Sequence, residues 1–114
     1  MLERSVTSFF LYLTTIGRTS GKERQIEIWF VERERRHYVV SESREAAGWV
    51  KNLTKQPRVA FSVGTRSDPT SALGRTPARA RLVPDADELA HAVKALMDAK
   101  YGWSDGLVVE LSPL

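Results

Sequence analysis

The alternation of apolar and polar positions along the 114-residue chain predicts six β-strands and two helices. Apolar, β-branched and aromatic residues are concentrated in short stretches typical of strands. These stretches are residues 9–16, 25–32, 37–41, 58–63, 76–83 and 107–111. Apolar residues spaced three and four apart predict a short helix that ends before Pro57 and a longer helix after Asp85. The element order is therefore β-β-β-α-β-β-α-β.

The connections between the predicted strands are too short for the crossovers that parallel strands need, so we expect an antiparallel sheet. Six strands with two helices favour a mainly β, α+β fold, namely a six-stranded antiparallel barrel with two peripheral helices. The length predicts one domain spanning residues 1–114. Asp85 and Glu88 have the spacing of a capping box, which predicts where the second helix begins.

The composition excludes several classes of site. The chain has no cysteine, which rules out disulfides, thiolate nucleophiles and cysteine-ligated metals and fits a cytoplasmic protein. Only two histidines are present, so we predict no metal site. No apolar run reaches 18 residues, so we expect no transmembrane helix.

The mild net charge of +3 matters because of where some of the cations lie. The stretch "LTTIGRTSGKER", residues 13–24, places Arg18, Lys22 and Arg24 around a glycine-rich turn directly after a strand. Glycines allow a tight turn whose N–H groups can form a nest for an anion, and arginine forks suit phosphate or carboxylate. The spacing does not match a nucleotide P-loop. From the residues alone, an anion site and a solvated hairpin loop remain equal alternatives.

The same stretch resembles the "L-T-T-x-G-R-K-S-G-K-x-R" signature of the deazaflavin-dependent nitroreductase family. The similarity continues through "IWFVE", "HYVVS", "GWVKNLTKQPRVAFSVG" and "KYGWSDGLVVELSP", so that it covers about residues 9–113. The resemblance implies a split β-barrel related to the pyridoxamine-phosphate-oxidase-like flavin proteins. It also implies that the chain binds coenzyme F-420, a deazaflavin with a phosphate and a polyglutamate tail.

The resemblance assigns cofactor-binding roles to particular residues. The anion site would comprise Arg18, Thr19, Ser20, Gly21, Lys22 and Arg24. Ile26 and Glu27 would lie beside the cofactor, Ser41 near its phosphate end, and Trp49 and Asn52 match the family's tryptophan and asparagine in the short helix. This chain has Thr19 where the family usually has lysine, and Glu23 where it usually has proline.

The implied reaction is hydride transfer from the reduced deazaflavin to a small acceptor such as a quinone, an enone or a nitro compound. Tyr101 is the candidate catalytic residue, as a hydrogen-bond or proton donor to the acceptor. The alternative for Tyr101, which we favour from the sequence, is a turn aromatic packed against the C-terminal helix. Trp103 fits either a pocket wall or a lid over the core.

Three alternatives stay open at this point. The barrel could use FMN, whose phosphate suits the same loop, or it could bind a cofactor without catalysis. A small basic barrel could bind single-stranded nucleic acid, but that needs exposed aromatics between cations, so we expect no nucleic-acid partner. The apolar second face of 25–32 and the apolar stripe of the second helix favour a homodimer.

Overall fold

The computed structural model describes residues 9–68 and 74–114, which form one antiparallel sheet with two α-helices. The strands are β1 (Phe10–Ile16), β2 (Glu23–Ile28), β3 (Val31–Arg33), β4 (Arg36–Ser41), β5 (Arg58–Gly64), β6 (Thr76–Val83) and β7 (Leu107–Pro113). The helices are α1 (Gly48–Lys55) and α2 (Glu88–Tyr101), and a short 3-10 turn spans Arg44–Ala46. The mainly antiparallel β architecture with two helices is confirmed.

The six-stranded barrel is not confirmed. The sheet has seven strands in the order β2-β1-β5-β6-β7-β4-β3, and it is not closed. The predicted strand 25–32 divides in two because the chain bends at Trp29 and Phe30 and then pairs with β4 instead of β1. Tyr101 supplies the partners of the Phe30 N–H and C=O, so this residue needs no neighbouring strand.

The bend places two consecutive strands at opposite edges of the sheet. Since only Trp29 and Phe30 separate β2 from β3, the sheet must curl until its two edges approach each other at this point. The outer edge of β2 has no partner strand within residues 9–68 and 74–114. The curled sheet therefore leaves a split beside β2.

The core lies on both sides of the curled sheet. The inner cluster packs alternate residues of the strands against α1, and its buried members are Leu11, Leu13, Phe30, Val39, Leu53, Val59, Phe61, Ala78, Ala80, Val109 and Leu111. The outer cluster lies under α2 and comprises Val31, Tyr38, Val40, Val83, Ala90, Val93, Met97 and Val108. Helix α1 thus packs on the inner face of the sheet, and α2 packs on its outer face.

Helix α2 begins with a different cap from the one predicted. Its N-cap is Asp87, whose carboxylate accepts a hydrogen bond from the Leu89 N–H at 2.9 Å. Asp85 instead pairs with Arg44 of the short turn, and the Arg44 guanidinium holds the pKa of Asp85 below its usual value. The predicted capping box at Asp85 and Glu88 is therefore wrong by two residues.

Candidate functional site

The glycine-rich loop, residues 17–22, is closed by its own backbone. The Gly17 N–H donates to the Lys22 carbonyl at 2.7 Å, and the Gly21 N–H donates to the Gly17 carbonyl at 2.9 Å. Gly21 has a φ of +72°, which side-chain-bearing residues rarely adopt. Ser20 Oγ accepts from the Lys22 N–H at 3.1 Å. The loop is a compact turn that leaves its cationic side chains on the surface.

Arg18 and Asn52 join this loop to α1. The Asn52 Oδ1 accepts from the Arg18 backbone N–H at 3.1 Å and from its Nη1 at 2.8 Å. The Asn52 Nδ2 donates to the hydroxyl of Thr15 at 3.2 Å, so the buried amide links β1, the loop and the helix. Arg18 Nη1 also donates to the Gly48 carbonyl at 3.3 Å. Asn52, which the resemblance assigns to cofactor binding, is thus a residue that holds the loop in place.

The loop carries cations that no described carboxylate neutralises. Within residues 9–68 and 74–114, the ion pairs involve other residues and leave Arg18, Lys22 and Arg24 without an acidic partner. Glu23 is the adjacent negative charge, but Arg75 pairs with it at 3.3 Å. Arg75 thus offsets the acidic residue that replaces the usual proline. The loop keeps an uncompensated positive charge suited to an anion.

A cavity of about 600 Å³ lies in the split beside β2. Its walls come from the ends of β1 and β2, the segment after β4, the start of α1 and the turn after α2. The lining residues are Phe10, Glu27, Ile28, Trp29, Val40, Ser41, Glu42, Ser43, Ala47, Trp49, Arg66 and Trp103. Its volume is within the range of about 300–1,000 Å³ that small-molecule sites occupy.

The loop and the cavity meet at the start of α1. Ala47 and Trp49 line the cavity, and the intervening Gly48 accepts the hydrogen bond from Arg18. A molecule with an aromatic ring system in the cavity and an anionic group near the loop would therefore span both regions. The structure brings Glu27, Ser41 and Trp49 into the cavity, while the predicted anion-site residues lie around the adjoining loop.

Glu27 is held at the wall of the cavity by two donors. Arg66 binds its carboxylate through Nε and Nη2 at 3.0–3.1 Å, and the Tyr12 hydroxyl donates to it at 2.8 Å. The Arg66 guanidinium and the Tyr12 hydroxyl together hold the pKa of Glu27 below its usual value. Burial, assisted by Glu27, raises the pKa of Tyr12. Glu27 is thus a fixed carboxylate and Tyr12 a neutral donor.

The side chains of Ser41 and Ile26 both make contacts within the protein. The buried Ser41 hydroxyl donates to the Arg44 carbonyl at 2.9 Å, although Ser41 also lines the cavity. Ile26 packs its side chain against the inner core, on the same face of β2 as Arg24. Their roles in cofactor binding stay predictions.

Tyr101 does not line the cavity. Its hydroxyl donates to the Phe30 carbonyl at 2.9 Å and accepts from the Phe30 N–H at 3.2 Å. Its ring stacks on Trp29, with centroids 4.4 Å apart and planes within 2°. A catalytic role for Tyr101 stays a prediction, and these contacts favour the alternative of an aromatic packed at the end of the C-terminal helix.

Eight of the twelve lining residues are not predicted from the sequence, namely Phe10, Ile28, Trp29, Val40, Glu42, Ser43, Ala47 and Arg66. Trp29 belongs to the second, partly apolar face of the predicted strand 25–32, and no local pattern signals a bend after Ile28. Arg66 lies in residues 64–75, which the sequence predicts to be a loop and of which residues 69–73 lie outside the described residues. Trp103 lines the cavity, which agrees with one of the two roles that the sequence allows for it.

Two other kinds of site are not found in the part of the chain that the structure describes. No group of three or more histidine, aspartate or glutamate side chains there could hold a metal ion. No helix there is long and apolar enough to cross a membrane.

The chain that forms this loop and cavity matches a known protein family. Residues 5–102 match the model of the F420H2-dependent quinone reductase family, F420H2 being reduced coenzyme F-420. The chain belongs to this family. An F420H2-dependent quinone reductase is an oxidoreductase, and its cofactor is coenzyme F-420, so the predicted enzyme class and cofactor are confirmed.

Solved structures show the fold of this quinone reductase family member in other proteins. HutZ, the heme storage protein from Vibrio cholerae, is 21% identical with a TM-score of 0.73, over 92% of this chain and 81% of that one. A protein named F420 reductase is 18% identical with a TM-score of 0.64, over 93% and 86%. A Listeria innocua protein described as a pyridoxamine 5′-phosphate oxidase is 16% identical with a TM-score of 0.69, over 91% and 82%. No curated protein matches the sequence.

The residues of this family member fit coenzyme F-420. Among the described residues, Lys22 and Arg24 have no acidic partner and can face a phosphate. The loop is tightly closed at Gly17, where a Cβ would lie 2.7 Å from Ser20 Oγ and 3.2 Å from the Lys22 carbonyl oxygen. The aromatic walls formed by Trp29, Trp49 and Trp103 suit a flat ring system. The fit extends from the loop to the cavity without a break.

Proposed function

We propose that the chain reduces a quinone with a hydride taken from reduced coenzyme F-420. The observation that supports this proposal is that an aromatic cavity of about 600 Å³ adjoins a loop whose cations have no acidic partner among the described residues. The cavity and the loop meet at Gly48. The family's description supports a quinone as the acceptor. Enones and nitro compounds are further acceptors of the same proposal, because both contain an electron-poor group that accepts a hydride, an enone at its β-carbon and a nitro compound at the nitro group.

The proposed roles of the residues follow from their positions. Arg18, Lys22 and Arg24 hold the phosphate, assisted by the Thr19 and Ser20 hydroxyls and the loop backbone at Gly21. Asn52 keeps Arg18 in place. Trp49, beside Gly48, orients the ring system where the loop meets the cavity. Ile26, Glu27 and Ser41 complete the neighbouring wall.

When bound, the reduced cofactor supplies the hydride, and the protein supplies orientation and electrostatics. The hydride and one proton convert the quinone to a hydroquinone. We propose that this proton comes from water at the open side of the cavity, because the Tyr101 hydroxyl is engaged by the Phe30 backbone. Glu27, paired with Arg66, offers no proton at neutral pH.

The first test is equilibrium binding of oxidised coenzyme F-420, followed by cofactor fluorescence, with FMN in parallel. Arg18→Ala and Lys22→Ala are expected to weaken F-420 binding about tenfold or more each, since a hydrogen bond to a charged group contributes about 1.5–3 kcal/mol. Arg79→Ala is the matched control, because Arg79 is an exposed cation on β6 that pairs with no carboxylate of the described residues. It is expected to leave binding unchanged.

The outcomes separate the candidates. F-420 binding that depends on the loop, followed by oxidation of F420H2 with a quinone, supports the proposal. Binding of FMN alone would place the chain with the flavin-dependent barrels. Equal effects of Arg18→Ala and Arg79→Ala would show that the loop is not the phosphate site.

We also propose that the protein is a cytoplasmic homodimer. Large apolar side chains are exposed at Phe9 and Leu114, which a second copy could cover. One structural neighbour, 18% identical with a TM-score of 0.66, is described as a domain-swapped dimer. Sedimentation equilibrium is expected to give twice the 12.8 kDa chain mass, and a monomer at all concentrations would contradict this assembly.

A further inference from the structure

The bend between β2 and β3 is held by side chains from the end of α2. The Tyr101 hydroxyl satisfies both backbone groups of Phe30, at 3.2 and 2.9 Å. The Lys100 ammonium donates to the same carbonyl at 3.0 Å and lies 4.1 Å from the centre of the Phe30 ring. Three hydrogen bonds therefore fix the backbone at the residue after Trp29.

Trp29 is fixed as well, but it keeps a surface for another molecule. One face of its indole stacks on Tyr101 at 4.4 Å, and Trp103 meets it edge-on at 6.3 Å and 71°. Trp29 is nevertheless 40% exposed and lines the cavity. Because Tyr101 and Trp103 cover only part of the indole, its exposed remainder is available to a ligand in the cavity.

Trp29 lies at the end of the cavity farthest from the loop. The β1–β2 register ends at the pair of Leu11 and Ile28, so Trp29 follows directly beyond this end of the two strands, where β1 begins. The loop follows Ile16 at the other end of this seven-residue strand, about 20 Å away at 3.3 Å per residue. A cofactor anchored by its phosphate at the loop enters the cavity beside Trp49, so Trp29 faces the space that remains beyond it.

We infer that Trp29 is the wall against which the acceptor stacks, and that Tyr101 is a positioning residue that sets the angle of that wall. This inference rests on the proposed quinone reduction. A quinone is flat and electron-poor, and an indole offers an electron-rich face for offset stacking. Tyr101 acts through Trp29 and Phe30 without touching the acceptor.

The test compares kcat and KM for menadione, a flat aromatic quinone, and for cyclohexenone, a small non-aromatic enone. Trp29→Leu is expected to raise KM for menadione about tenfold with little change for cyclohexenone, because only the flat aromatic quinone loses a stacking partner. Trp29→Phe is expected to restore most of the loss. Tyr101→Phe, which keeps the ring but loses the hydroxyl, is expected to raise KM for menadione severalfold at nearly constant kcat.

A second measurement does not depend on turnover. Calorimetric titration of menadione into the protein with oxidised F-420 is expected to show the same loss for Trp29→Leu, while the dissociation constant of F-420 itself stays within about twofold. Leu96→Ala is the matched control, because Leu96 is an exposed apolar residue on α2 that does not line this cavity. Thermal unfolding of each variant checks that it is folded.

Two results would overturn the inference. Trp29→Leu could weaken F-420 binding as much as menadione binding, which would make Trp29 part of the cofactor site. It could also leave the KM for menadione unchanged, which would place the acceptor elsewhere. Failure of the wild-type protein to bind F-420 would instead refute the proposed function, so the two failures are distinguishable.

Discussion

At the scale of single residues, Gly106 shows how closely the cavity wall is built. It precedes β7 and packs against the backbone of Ser41 at the end of β4. A Cβ at position 106 would collide with the Ser41 carbonyl oxygen and would lie 2.8 Å from the Ser41 carbonyl carbon and from Val40 Cγ1. Since Ser41 and Val40 both line the cavity, the wall and the sheet depend on the same small residue.

Gly106→Ala is expected to lower the free energy of unfolding by about 1–3 kcal/mol, because backbone atoms cannot move aside as a flexible side chain can. The measurement is urea denaturation followed by tryptophan fluorescence. Gly48→Ala is the matched control, since a Cβ there meets nothing within 4 Å and φ is not positive. Equal losses for the two variants would contradict the steric argument.

The sequence identified several residues at this scale, but not their partners. Arg18 and Asn52 were assigned to the cofactor by resemblance, whereas the structure shows that they bind each other. Their spacing of 34 positions carries no local signal of this contact. Likewise, nothing in the pattern around Glu23 reveals that Arg75 pairs with it across the sheet.

At the scale of elements, β4 introduces a pH-sensitive group between β3, β5 and α2. His37 of β4 lies between the rings of Phe30 and Phe61, 3.5 Å from Glu32 of β3. Burial lowers the pKa of His37 below 6.5, Glu32 opposes this change, and Lys100 of α2 adds to it. Its buried Nδ1 has no hydrogen-bond partner among the described residues.

Because the folded pKa of His37 is below the ordinary 6.5, the unfolded chain binds this proton more readily. The stabilisation is complete above that value and is lost as the pH falls through it toward the folded pKa. Thermal unfolding from about pH 8 to about pH 5 is expected to show a falling Tm, and His37→Gln is expected to flatten that slope.

His91→Gln is the control for this experiment, because His91 is the other histidine and is exposed on α2. The acid slope is expected to persist in this variant. An unchanged slope in His37→Gln would assign the pH dependence to other groups.

The elements were predicted well where one periodicity covers the whole segment. Strand β5 and both helices fall where the pattern places them. The prediction failed at 25–32, where alternation continues through a bend that depends on Tyr101, 71 positions away from Phe30. The predicted N-cap of α2 was wrong because Asp85 and Asp87 both suit an N-cap, and Asp85 pairs with Arg44 instead.

At the scale of the whole molecule, the class of fold was predictable and its closure was not. The short connections correctly predicted an antiparallel arrangement. The six predicted strands are present within the seven observed. The sheet order depends on pairings between distant strands, such as β1 with β5 and β4 with β7, which local patterns do not encode. The cavity lies between such strands, so the resemblance named only part of its lining, such as Glu27, Ser41 and Trp49, and the rest is found only in the folded chain.

The bend at Trp29 and Phe30 also sets a limit on size. The chain from Ile28 to Val31 crosses three residue steps, which span at most about 11 Å when fully extended. The two edges of the sheet therefore cannot separate further than this at the Trp29 end, whatever molecule is bound. This end of the cavity is therefore closed by covalent structure, and the cavity cannot widen there by parting of the sheet edges.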